Sequence, residues 1–208
     1  MDQNKYSQIS AQAIQNVQHL ILDQSEWNIL KQGNYLKIFC QKYKNTEAYS
    51  FKITGEISAD FMLAQKFYFE NNEDMAKNRD NCIGIDLIEA VDKDNVVCLI
   101  KMSFSTNNMT QREFLVVRNR SFLSNNEILI VNGILNEHSK APINNNSQRE
   151  QMAINAQIIK KISLDSCNLE IYFLRDFSKA VPMEQLPLIA EAFLQIFEKD
   201  VEKILSQK

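Results

Sequence analysis

Glycine and proline are scarce in this chain, four and three among 208 residues. A glycine-rich phosphate loop has almost nothing to be built from, and proline-rich linkers are excluded. The two histidines, His19 and His138, cannot make a multi-histidine metal site. The four cysteines, Cys40, Cys82, Cys98 and Cys167, contain no Cys-x-x-Cys pair, which removes the usual zinc patterns. They read instead as small core hydrophobes in a reducing compartment, with Cys40 and Cys98 in phase with apolar strand neighbours. No run of eighteen apolar residues exists, so no membrane-spanning helix is expected. The N-terminal stretch lacks the apolar core of a signal peptide. A transit peptide is Arg-rich, and the first arginine here is Arg79. Neither end has a lipidation signal. With a formal net charge of -3 and a pI near 5.5, there is no global basic field to gather nucleic acid or anionic lipid. A cytoplasmic location follows, with no metal, no cofactor and no nucleic-acid partner expected.

What is present is ordinary globular chemistry: 45% hydrophobic and 24% charged residues. The length suits one large domain over 1–208, and no linker or internal repeat divides it. Asparagines cluster at Asn107-Asn108, Asn125-Asn126 and Asn144-Asn145-Asn146, where turns are wanted. Residues 6–22 place Ile9, Ala13, Val17, Leu20 and Ile21 at helical spacing. The period then changes to two: Leu36, Ile38 and Cys40, then Tyr49, Phe51 and Ile53, predict strands joined at Lys44-Asn45. A helix is expected over 58–70, capped by Ser58, with Phe61, Met62, Gln65 and Phe69 on one side. Residues 71–82 read as irregular. Strands follow at 83–91 and 96–104 around a turn at 92–95. Further strands are expected at 113–118, 127–135, 150–164 and 168–176. Pro182 opens a last helix with apolar positions at Leu186, Ile189, Ala190, Phe193, Leu194, Phe197, Val201, Ile204 and Leu205, the strongest periodic signal in the chain.

Consecutive strands joined by hairpins make the class α+β with a mostly antiparallel sheet. Two strands are apolar on both faces: Leu115 and Val117 oppose Phe114 and Val116, and Leu129 and Val131 oppose Ile128 and Ile130. One face packs on the last helix, and what covers the other is unspecified. A hollow between sheet and helix, fit for an apolar ligand, is one solution, and a filled core is the other.

Five stretches together resemble the START domain, the steroidogenic-acute-regulatory-related lipid-transfer module, over essentially the whole chain. Trp27 stands where the family has a Trp after its first helix. Gln111-Arg112-Glu113-Phe114-Leu115-Val116-Val117-Arg118 is similar to the family's Arg-Asp-Phe strand, with Glu113 for Asp. Residues 127–143 resemble the next strand and its His/Pro-containing loop. Arg149 sits where a family strand opens with Val-Arg. Asp176-Phe177-Ser178-Lys179-Ala180-Val181-Pro182 resembles the Asp-x-x-Gly-x-x-Pro approach to the last helix, with its Gly missing. The family's Trp-Asp after the middle helices has at most Arg79-Asp80 in its place.

The resemblance implies a helix-grip fold of the START/Bet v 1-like kind, a curved antiparallel sheet gripping a long C-terminal helix. It implies a non-enzymatic carrier that holds one lipid, a phospholipid or a sterol, in a tunnel under that helix and meets membrane surfaces transiently. The expected lipid-binding set is Phe193, Leu194, Phe197 and Ile189 on the helix, Met109 in the 105–111 loop as a second lip, and the strand charges Arg118 and Asp86. Plain core packing of the helix residues, and outward-facing or mutually paired charges at Arg118, Arg112 and Asp86, are the structural alternatives. His138 has no nucleophile at motif spacing, and His19 is expected on a helix surface. Two rivals stand beside the carrier. One is a START-like subunit that uses the fold for contacts with a protein partner. The other is a cyclase-like enzyme, for which no converging acid/base set is visible.

Overall fold

The computed structural model describes residues 3–23, 25–43, 46–103, 111–144, 147–175 and 182–207. Helix α1 (Gln3–Leu22) precedes strands β1 (Asn28–Gln32), β2 (Lys37–Lys42) and β3 (Tyr49–Ile57). Two short helices follow, α2 (Phe61–Phe69) and α3 (Asn72–Lys77). Then come β4 (Cys82–Ala90), β5 (Asn95–Met102), β6 (Gln111–Ser124), β7 (Glu127–Ile134), β8 (Ser147–Arg149), β9 (Met152–Lys161) and β10 (Cys167–Arg175). A 3-10 turn at Met183–Gln185 leads into α4 (Leu186–Leu205). The strands form one sheet in the order β1-β2-β3-β10-β9-β7-β6-β5-β4, antiparallel throughout, with β8 added in parallel to β6. This is the expected α+β class: a curved antiparallel sheet with a long C-terminal helix.

Strand alternation sends successive side chains to opposite faces. On β6 and β7, Phe114, Val116, Ile128 and Ile130 join one core with residues of α2, α3 and α4. Leu115, Val117, Leu129 and Val131 join two smaller cores on the other face. The cover of that second face is α1. Val17 and Leu20 pack with Leu129, Val131 and Ile158, while Tyr6 and Ile9 pack with Leu115 and Val117. Gly133 makes the approach possible: a Cβ there would lie 2.6 Å from Ile9 Cγ2 and 3.0 Å from its carbonyl oxygen.

Four local expectations are corrected. The α2 cap is Asp60, not Ser58: its carboxylate accepts from the backbone N–H of Met62 at 2.7 Å and of Leu63 at 3.4 Å. A carboxylate at this position also favours the positive end of the helix dipole. Met62 is exposed, and the buried side of α2 is instead Phe61, Ala64, Gln65, Phe67, Tyr68 and Phe69. The stretch after α2 is not irregular throughout. Asn71 caps α3, whose six residues bury only Met75 and Ala76, too few to make a periodic signal. Pro182 precedes the 3-10 turn, so regular α-helix begins at Leu186. The Lys44-Asn45 turn lies outside the described residues.

Candidate functional site

Helix α4 lies over the face formed by β1, β2 and α2 and carries its apolar stripe inward. Its aromatic residues meet rings from the sheet. Phe51 of β3 and Phe173 of β10 stack at 5.0 Å between centroids and 8° between planes. Phe193 approaches Phe173 at 4.3 Å and Phe51 at 6.0 Å, and Phe197 approaches Phe173 at 6.3 Å. The result is a four-ring shelf where helix and sheet meet, two rings from each. Leu186, Ala190, Leu194, Val201 and Ile204 are buried along its whole length, whereas Ile189, Phe193 and Leu205 remain partly exposed.

The polar clasps on α4 are spread unevenly along it. Asp200 is buried on α4 and receives Arg79 Nη2 at 2.7 Å and Asn78 Nδ2 at 3.2 Å. Arg79 also lies over the Phe197 ring at 5.5 Å. Burial works against the Arg79 charge, but the charge and hydrogen bond of Asp200 outweigh it and raise its basicity. Lys199 pairs with Asp80 at 2.7 Å, and Lys203 pairs with Asp74 at 3.6 Å. Thus the end of α4 is held to the α3 region by one buried and two exposed ion pairs. Midway, the Glu198 carboxylate accepts from the backbone N–H of Leu36 at 2.8 Å and of Tyr35 at 3.0 Å. Gly33 leaves room for it, because a Cβ there would collide with the carboxylate. Toward the N-terminus, the ion pair described is the exposed Lys31–Glu191 contact, a kind worth little in water.

A second polar array crosses the same face. Arg118 on β6 is 2% exposed. Its Nη1 donates to Asn72 Oδ1 at 2.6 Å and, more weakly, to the Phe69 carbonyl at 3.5 Å. Its Nε donates to Asn132 Oδ1 on β7 at 3.1 Å. Asn132 Nδ2 donates to Asn155 Oδ1 on β9 at 3.0 Å, and Gln157 Nε2 donates to the same oxygen at 3.0 Å. Asn155 is the sheet neighbour of Phe173, so the row ends beside the aromatic shelf. Burial lowers the basicity of Arg118; Cys98 offsets part of this, and the like charge of Arg79 adds to it.

A sequence profile described as START domain matches residues 8–188. The chain belongs to the START domain family. Human StAR-related lipid transfer protein 5 is similar in structure, with a TM-score of 0.80 at 14% identity over 99% of each chain. Human STARD10 gives 0.72 at 13% identity, covering 90% of this chain and 78% of that one. A fragment of the STAR-related lipid transfer protein from Xanthomonas axonopodis gives 0.73 at 9% identity, covering 86% and 99%. At such identities these structures speak for the shared fold alone. No curated protein matches the sequence.

Within this START domain, the structure gathers Ile189, Phe193, Leu194 and Phe197 on the α4 face, and Arg118 lies on the same face of the sheet. Asp86 does not join them. It sits half-exposed on edge strand β4, paired with Lys101 at 2.5 Å. Arg112 pairs with Glu150 at 2.9 Å. Met109 and the Asp176–Val181 approach lie outside the described residues. Trp27 packs on the α1 side, edge-on to Tyr172 at 6.2 Å. Both ring nitrogens of His138 are engaged, Nδ1 by the Lys140 N–H at 3.1 Å and Nε2 by Glu89 at 3.1 Å, so the imidazole organises its loop. Among the described residues, no group of three His, Cys, Asp or Glu could hold a metal.

Sequence reasoning missed Asp200, Asn132 and Asn155. Asp200 falls between apolar positions of α4, and the amides occupy inward phases of β7 and β9, so period counting alone could have flagged all three as polar residues on a buried face. The clefts of about 790 Å³ between α3 and β4, 640 Å³ beside Tyr6 and His138, and 290 Å³ between Gly33 and α4 all lie outside the shelf. The expected hollow is not one of these three. Beneath α4 the rings touch one another.

Proposed function

We propose that this START domain is a non-enzymatic lipid-binding and lipid-transfer protein of the cytosol, holding one phospholipid or sterol between the sheet and α4. The observation that carries this reading is the uneven clasping of α4: three ion pairs, one of them buried, pin its C-terminal end, one exposed pair holds its N-terminal half, and its Phe193 and Phe197 rings rest on those of Phe51 and Phe173. The family, and neighbours named for lipid transfer, support it. Moving a methylene from hydrocarbon into water costs about 0.8 kcal/mol. Two sixteen-carbon chains would cost on the order of 25 kcal/mol, so a carrier must offer a dry replacement surface. Here the N-terminal half of α4 parts from the shelf and the acyl or sterol body takes its place against Phe51, Phe173, Phe193 and Phe197. Met183 and Leu188, 72% and 73% exposed at the head of α4, make the transient contact with the membrane surface.

The test is to lock the gate. Lys31→Cys and Glu191→Cys, bridged by a short bifunctional maleimide in a Cys82→Ser background, should abolish transfer of labelled phospholipid or sterol between vesicles. The unbridged variant should transfer normally. Undiminished transfer after bridging overturns the gate, and no transfer by the native chain overturns the function. The direct contacts among the rings favour a second reading, a START-like interaction or structural subunit that binds a protein partner and transfers no lipid. Absence of both transfer and bound lipid would select it.

A further inference from the structure

One end of the sheet carries large apolar side chains open to solvent. Hairpins β6–β7 and β9–β10 turn there, through Asn125-Asn126 and Ser163-Leu164-Asp165. They lie side by side, because Glu127 is the sheet neighbour of Lys160 and the Lys161 N–H donates to the Asn126 carbonyl at 2.8 Å. Strand β5 stops at Asn95, opposite Asn119 of β6, so residues 120–124 run on past it. On the two tips Phe122, Leu123, Ile162 and Leu164 are 58%, 47%, 53% and 75% exposed. Turn residues are ordinarily polar, and a cluster of exposed apolar side chains marks an interaction surface.

Ordered backbone holds these side chains out. The N–H groups of Ile162 and Ser163 both donate to the Ser166 carbonyl, at 3.0 and 3.1 Å, and the Ser163 and Ser166 hydroxyls meet at 2.9 Å. On the other tip the Asn126 N–H donates to the Ser124 hydroxyl at 3.1 Å. The Arg120 guanidinium, paired with Glu70 at 3.2 Å and Asp94 at 3.1 Å, lies over the Phe122 ring at 5.6 Å.

Shape, area and charge select the occupant. The tips project, and none of the three clefts described above is lined by their residues, so a partner helix finds no groove here. The four side chains expose on the order of 500 Å², below the roughly 800 Å² per partner of a stable protein interface. The local charge cancels: Lys160 pairs with Glu127 and Glu170, and Lys161 and Asp165 are exposed on the same tip with opposite signs. A bilayer interface accepts projecting apolar side chains and leaves lysine ammonium groups, turn amides and Asp165 among the headgroups.

The tips and the head of α4 face different ways. Strand β10 begins at Cys167 beside the tips and runs nine residues to Arg175, about 30 Å of extended chain. Phe193, in the first half of α4, meets Phe173 near the Arg175 end, whereas Glu198 meets the turn before β2. The helix head therefore lies toward the end of the sheet away from the tips. We infer that the paired β6–β7 and β9–β10 tips are a second lipid-surface contact, suited to an interface without net charge. The tip contact stands without the carrier reading. Joined to the membrane contact of Met183 and Leu188, which rests on that reading, it lets one chain touch two membranes at once.

The experiment places an environment-sensitive NBD fluorophore on Leu164→Cys, and separately on Leu188→Cys, of the full chain in a Cys82→Ser background, and titrates phosphatidylcholine vesicles. Both labels should brighten and shift to the blue, equally at low and high salt. Phe122→Ser in the 164-labelled chain, with folding checked by circular dichroism, should raise the vesicle concentration at half-response about tenfold or more, because each buried methylene counts for roughly a factor of four. The unlabelled native chain should cluster the vesicles, as read by dynamic light scattering. Phe122→Ser with Leu164→Ser should abolish clustering while a label at 188 still responds. A response at 188 with silence at 164 overturns the inference, gives the tips to a protein partner or a second copy, and leaves the carrier intact. A response at 164 upholds the tip contact even where no labelled lipid moves between vesicles, the result that overturns the carrier. Silence at both labels overturns both membrane contacts, and clustering unchanged in the tip variant overturns the bridge.

Discussion

The two faces of the sheet are closed in different ways. The α1 face is shut by aliphatic side chains with Tyr6, Trp27 and Tyr172 among them, and by a close backbone approach at Gly133, with Val17 and Leu20 wholly enclosed. The α4 face is shut by rings, by clasps of unequal strength, and by a buried Arg118 whose charge no described acid balances. A face that only stabilises the fold has no use for an unbalanced charge, because apolar residues of similar volume serve stability as well or better. The contrast sets the face proposed to hold the lipid apart from the α1 face within one sheet.

Removing Asp200 should have the largest effect. Asp200→Ala leaves Arg79 buried without its acid and frees the pinned end of α4. The expected loss is about 3–5 kcal/mol in urea unfolding. A loss near zero would mean that the clasp does not hold the helix.

Next comes a direct comparison of the faces. Leu20→Ala under α1 should cost about 2–5 kcal/mol, as for a cavity in a filled core. Phe193→Ala under α4 should cost at least about 1 kcal/mol less, despite removing more atoms, because its site is only partly closed. The same variant should lower the amount of bound lipid, while Leu20→Ala should lower stability alone. Equal stability losses would erase the distinction between the faces.

Much of this architecture was legible in the sequence. The i, i+3, i+4 series from Leu186 to Leu205 and the two-sided apolar strands at 114–117 and 128–131 gave the helix, the antiparallel sheet and the need for two covers. The identity of the second cover was not legible, since nothing in the Val17–Leu20 pattern says which surface it meets. Local capping went wrong where two candidate caps, Ser58 and Asp60, lay two residues apart, and only the backbone path decides between them. The site was legible in part. Phe193, Leu194 and Phe197 follow from helical phase. The Arg79–Asp200 pair joins residues far apart in the chain, and the Arg118–Asn132–Asn155 row depends on the register of three strands. No local pattern encodes either one.

Cys167 tests whether the deep end of the α4 face is dry. It is wholly buried, and burial, aided by the Asp60 charge, pushes its thiol from 9.0 up to about 12. The folded value is the higher one, so the stabilisation is complete below pH 9 and is lost as pH rises toward 12. Over that interval the native chain should lose roughly 1 kcal/mol per pH unit more than Cys167→Ala, read from paired urea melts. Parallel curves would mean that water reaches the thiol.

The smallest change in stability belongs to the head of α4. Leu188→Ser should leave urea stability within about 0.5 kcal/mol, because the side chain is exposed. It should nevertheless slow vesicle transfer severalfold by weakening the membrane contact. Unchanged transfer would move that contact elsewhere.

Native mass spectrometry of the intact protein purified from cells, paired with lipid extraction, tests the central claim most directly. The account predicts a population carrying one lipid per chain, with the same lipid recovered in the extract. A clean protein mass with nothing in the extract, from a chain that also takes up no lipid from vesicles, would contradict it.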